Sequence, residues 1–161
     1  MQFEQKQSLI IGLGNDWLTD DGIGVIVAEK IKNDYPKLTQ QFDFKTSVFG
    51  GLELIDLITG YDEVYFIDGI ITLEEKPGFI WNFTPRNFRE TLHLSHYHDV
   101  KFTTLFDFMR QIGLKTPEHV KVFAIEVVED KEFSKEPSLS VQHQLDEICK
   151  NILYNIVGGS D

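Results

Sequence analysis

SLIIGLGNDWLTDDGIG, residues 8–24, decides the fold. Its apolar run Leu9-Ile10-Ile11 lacks a helical period and fits a buried strand. Gly12-Leu13-Gly14-Asn15 breaks the run, because glycine lets the backbone turn tightly and leaves space above a strand end. Thr19-Asp20-Asp21 follows, a group of small polar residues suited to starting a helix. A strand, a glycine turn and paired carboxylates at a helix start together place a site at the carboxyl edge of a sheet.

Working outward, residues 25–35 read as a helix, with Ile23, Val27 and Ile31 at four-residue spacing and Pro36 as its stop. Residues 42–49 alternate apolar and polar and read as a second strand. Gly50-Gly51 opens a helix over 52–59, and 63–67 is a third strand running into Asp68-Gly69. This βαβαβ opening predicts an α/β protein with a mostly parallel sheet and helices on both faces. Residues 78–83, entered through Lys76-Pro77-Gly78, suit an antiparallel edge strand because short connections flank them. A Phe-rich helix over 100–112, a strand over 120–125, a charged connection over 127–139 and one closing helix over 140–156 complete the reading.

With 161 residues and 13 Phe, the chain is expected to form one domain over 1–161, burying roughly 70% of its unfolded surface. No apolar run approaches the ~20 residues of a membrane helix. The start MQFEQKQ lacks a signal-peptide pattern, so a cytoplasmic protein is expected. A net charge of -11 argues against nucleic acid and anionic membranes, which need clustered Lys and Arg. The one cysteine, Cys149, excludes an internal disulfide and a multi-thiolate metal site, and reads as packing.

Ligands of open α/β sheets sit beyond the carboxyl ends of the strands. Asp20-Asp21 follow strand one, Asp68 ends strand three, and His93, His96 and His98 precede a helix. A dinucleotide fold is disfavoured: Trp17 stands where the third glycine of G-x-G-x-x-G belongs, and Asp20 and Asp21 would repel a pyrophosphate. Two carboxylates and an imidazole instead make a ligand set for a borderline divalent ion, Zn, Ni, Mn or Fe. Taken singly, Asp21 reads as a helix N-cap or first-turn acid, Asp68 as a turn cap and each histidine as a polar loop residue. Their joint placement at one edge favours the metal reading. Glu126, Glu129, Asp130 and Glu132 read as a solvated connection. No Gly-x-Ser-x-Gly or His-Glu-x-x-His is present.

GLGNDWLTDDGIG resembles the signature G-[IVL]-G-N-x-[IL]-x-x-D-[DE]-[GA]-x-G of the hydrogenase maturation proteases, which trim a C-terminal extension from the large subunit of nickel–iron hydrogenases. The likeness continues through Ile67-Asp68-Gly69, Lys76-Pro77-Gly78, a Ser/His loop and the late stretch AIEVVED. It implies a three-layer α/β/α sandwich with about five strands, one of them an antiparallel edge strand. It also implies a catalytic metal site of one acid, one Asp and one His. The acid falls on Asp21 and the Asp on Asp68; counting back from Gly113 puts the His on His98, with His96 as second choice. The family's Ser-x-His, counted forward from Ser95, falls instead on Tyr97. The implied metal is nickel supplied by the substrate precursor, with Zn or another divalent ion as alternatives. The implied partner is a hydrogenase large-subunit precursor met by a monomer. Asp20 is the nearest spare acid to take a proton from water. A non-catalytic metal-sensing or chaperone module of the same fold is the alternative function. The chain departs from the family after strand two, where Thr46-Ser47-Val48-Phe49 replaces an Asp-Gly-Gly-Thr run.

Overall fold

The computed structural model describes residues 7–94 and 101–158. β1 (Ser8–Leu13) is buried along its whole length, as its unbroken apolar run requires of a strand covered on both faces. It lies between β2 (Phe42–Ser47) and β3 (Glu63–Ile70), and the five-stranded sheet has the order β2-β1-β3-β5-β4. β1, β2, β3 and β5 (His119–Glu126) are parallel; β4 (Ile80–Phe83) is the antiparallel edge strand that the flanking turns predict.

Alternation along the strands divides the core between two faces. Leu9, Ile11 and Leu13 of β1 join Val64 and Phe66 of β3 under α2 (Leu54–Ile58) and α3 (Phe102–Gln111). Ile10, Ile67 and Phe123 face the other way, onto α1 (Ile23–Asp34) and α5 (Leu145–Val157). The result is the expected three-layer sandwich, with each fully buried Leu, Ile or Phe worth ~1.5–3 kcal/mol over exposure. Phe66 adds an edge-to-face contact with Phe102 at a centroid distance of 5.3 Å. Cys149 is buried packing in the second cluster. Among the described residues no helix is long and apolar enough to cross a membrane.

The glycines of the opening stretch bring backbones together rather than clearing open space. A Cβ on Gly12 would collide with the Gly24 carbonyl, and one on Gly24 with the Ile67 carbonyl, so α1 docks directly on the sheet. Gly14, at φ 140, lets the backbone of Asp21 close in.

Among the boundaries that move, two change the reading of an element. The closing helix is two, α4 (Leu139–Gln142) and α5, because Gln144 leaves the helix and gives its side-chain amide to the carbonyls of Pro77 and Ser140. The apolar stripe Val141, Leu145, Ile148 runs through both segments and so hides the break. β3 continues past Asp68 to Ile70, because β5 pairs with it to the end, through Asp68↔Ala124 and Ile70↔Glu126. Its pairing with β1 stops at Gly12↔Ile67. A crevice therefore opens between β1 and β3, where the chain order reverses, the position at which open α/β sheets bind ligands.

Candidate active site

Asn15 organises the first wall of the crevice. Its side-chain oxygen accepts the Trp17 N–H at 3.1 Å, and its own N–H donates to Asp21 Oδ2 at 3.1 Å. The chain then enters a 3-10 turn, Thr19–Gly22, from which α1 starts without a side-chain cap. Asp21 is therefore not an N-cap, because its carboxylate is turned back toward the crevice. Oδ1 of Asp21 accepts no hydrogen bond from the described residues.

Asp68 stands opposite, inside β3 and fully buried. Its Oδ1 accepts the Gly69 N–H at 2.8 Å and faces His93 Nδ1 at 2.7 Å. Its Oδ2 accepts the Thr91 hydroxyl at 2.5 Å and the N–H groups of His93 at 2.9 Å and Leu94 at 3.3 Å. A segment far along the chain is thus folded around one carboxylate. Leu92 N–H extends the attachment to the Gly69 carbonyl at 2.9 Å.

His93 joins the two acids, with Nε2 at 3.2 Å from Asp21 Oδ2 and Nδ1 against Asp68. Burial pulls its pKa down, but the hydrogen bonds and charges of Asp21 and Asp68 together outweigh burial and raise it from 6.5 to about 10. Without metal, His93 is a cation held between two carboxylates. The imidazole fills the space between them, and among the described residues no three ligating side chains surround a common point.

Asp21 and Asp68, expected from the sequence to converge, each contact one imidazole, that of His93, at its two different nitrogens. His98 and His96, the histidines chosen from the sequence, lie outside the described residues. Thr91-Leu92-His93 has the hydroxyl-x-His spacing of the family's Ser-x-His with Thr in place of Ser.

Asp20 is no spare base. It is fully buried, and its carboxylate accepts N–H groups of Val128, Glu129 and Ser138 and the Ser138 hydroxyl at 2.7–3.1 Å. It staples the 127–139 connection to the opening turn, aided by Thr19 N–H to the Ser134 carbonyl and Ser134 N–H to Trp17. Thr19, at φ 47, is held in the left-handed region by these contacts. Trp17 is half exposed beneath Lys135, whose Nζ stands 3.8 Å from the ring centroid. Nor is Glu126 solvated: it is buried and accepts from Trp81 Nε1, the Thr72 hydroxyl and the N–H groups of Thr72 and Leu73. Burial pushes its carboxyl up, but these donors hold it below its usual value.

No protein-family model matches the chain, and no curated protein matches it by sequence. Its fold, however, is that of solved maturation proteases. It is similar to the hydrogenase maturating endopeptidase HybD from E. coli, with a TM-score of 0.71 and 18% identity over 96% of this chain and 94% of that one. The [NiFe] hydrogenase maturation protease HycI from Thermococcus kodakarensis KOD1 follows at 0.64 and 20%, over 92% and 91%. Hydrogenase 2 maturation peptidase from Thaumarchaeota archaeon SCGC_AB-539-E09 gives 0.63 and 22%, over 94% and 99%. At these identities the likeness establishes a common fold across nearly the whole of each chain.

Proposed function

We propose that this chain is an endopeptidase that removes the C-terminal extension of a nickel–iron hydrogenase large-subunit precursor after nickel has been inserted. The observation that carries this reading is the meeting of Asp21, Asp68 and His93 at the crevice between β1 and β3. The shared fold and the motif over 12–24 support it.

Two carboxylates and an imidazole fit a borderline divalent ion. Asp21 and His93 Nε2 would offer the donors to the ion, with Asp68 behind the imidazole, nickel arriving as part of the substrate and Zn able to occupy the same donors. A bound divalent ion polarises a scissile carbonyl and lowers the pKa of water. His93 must release a ring proton to accept the ion, so binding and proton release are coupled. Asp68 keeps the imidazole in place through Nδ1. Asp21, the carboxylate with an oxygen left without a partner among the described residues, is the group on this chain that can take a proton from the attacking water.

Incubating the purified protein with nickel-loaded precursor and weighing the large subunit by mass spectrometry tests the reading. A chain shortened at its C-terminus is expected. Stable binding without shortening would instead identify a chaperone or metal sensor of the same fold.

A further inference from the structure

We propose that Thr91 is a positioning residue whose hydroxyl sets the orientation of Asp68 and, through it, the stance of His93. The proposal rests on the reading of Asp21, Asp68 and His93 as the working site. Thr91 lies in the segment between β4 and α3, and its side chain is buried. Among the described residues its Oγ1 has two partners, Asp68 Oδ2 at 2.5 Å and the Leu94 N–H at 3.1 Å. The second is a donor, so the single hydroxyl proton has one place to go, and Thr91 must donate to Asp68. Its backbone N–H closes the same turn on the Leu94 carbonyl at 3.3 Å.

One side chain therefore acts in two places. It supplies the shortest of the five contacts that fix the Asp68 carboxylate, and it closes the four-residue turn from whose third position His93 projects. Gly50 backs this turn from the other side, where a Cβ would collide with the His93 carbonyl. Without the hydroxyl, Asp68 Oδ2 keeps two backbone donors, at 2.9 and 3.3 Å, and the carboxylate is held less firmly. Its Oδ1 then loses its fixed line to Nδ1. A methyl group in the hydroxyl's place would preserve volume and abolish both contacts, whereas serine would preserve both.

The test is calorimetric titration of the whole purified protein with Zn2+, alongside thermal melting, for wild type, Thr91→Val, Thr91→Ala and Thr91→Ser. Well below the melting temperature, Val and Ala are expected to weaken Zn2+ binding about 10- to 100-fold, the usual effect of removing an outer hydrogen-bond partner at a metal site. Ser is expected to restore wild-type affinity. Val or Ala variants that bind Zn2+ like wild type, or a Ser variant that does not recover, would overturn the proposal. The wild-type protein offers an arm that needs no variant. In its metal-free NMR spectrum the Thr91 hydroxyl proton and the His93 Nδ1 proton should appear as slowly exchanging downfield signals, and a missing hydroxyl signal would also overturn it. A wild type that binds no Zn2+ counts against the metal-site reading alone, because the two proton signals still report on Thr91.

Discussion

Asp20 and Asp21 are neighbours in sequence, yet their carboxylates do unrelated work. Asp20 is sealed beneath the 127–139 connection by four donors, while Asp21 turns to His93 Nε2 at 3.2 Å. The 3-10 turn that holds both residues sends one side chain into the scaffold and the other into the crevice.

Replacing the two should separate stability from binding. Asp20→Ala strips a buried charged acceptor from four part-buried donors, and an unsatisfied donor costs ~1–3 kcal/mol, so a loss of about 3 kcal/mol is expected in chemical denaturation. Asp21→Asn should cost less than Asp20→Ala, only the weaker hold on the His93 cation, while abolishing Zn2+ binding in calorimetry. Equal losses of stability in both variants would show that the division of labour is wrong.

The metal-free protein should carry its charge on His93. NMR titration of the imidazole is expected to show a midpoint near 10, falling in Asp21→Asn as one of the two partners loses its charge. The folded pKa lies above the unfolded 6.5. The stabilisation from this group is therefore complete below pH 6.5 and is lost as pH rises through about 10. A midpoint near 6.5 in the folded protein would contradict the arrangement.

Burial also raises the Cys149 thiol from 9.0 to about 12. It should resist alkylation at pH 8 until the protein unfolds, since the thiolate is the reactive form. Linkage has the same sign as for His93, with stability present below pH 9 and falling toward pH 12. Labelling of Cys149 in the native state at the rate of a free thiol would count against its place in the core.

The glycines can be ranked by what surrounds them. Gly12→Ala drives a methyl into the Gly24 backbone, which cannot move aside without lifting α1, so a loss beyond the ~3 kcal/mol upper range of ordinary overpacking is expected. Gly60 sits at φ 93, and no described residue stands where a Cβ would project. Its alanine variant should cost only the conformational ~1–2 kcal/mol. Melting curves of the two variants provide the comparison.

The strands and both helical layers were legible because burial leaves direct marks: the solid apolar run of β1, the four-residue spacing in α1, and turn residues around β4. Asp21 and Asp68 were legible through strand ends, a local property. The histidine was harder. The place of His93 depends on how residues 91–94 wrap the Asp68 carboxylate, a contact across 25 positions that periodicity does not record. The burial of Asp20 and Glu126 escaped for a related reason: each is hydrogen-bonded by donors from distant segments, and the sequence around them reads as polar surface.

The most direct measurement is processing of nickel-loaded hydrogenase large-subunit precursor, followed by mass spectrometry, with wild type, Asp21→Asn, Asp68→Asn and His93→Ala side by side. The expected result is a shortened large subunit with wild type and none with the three variants, each of which retains a cooperative melting transition. Full processing by folded His93→Ala would contradict the account, because the imidazole joining Asp21 to Asp68 would then have no part in the reaction.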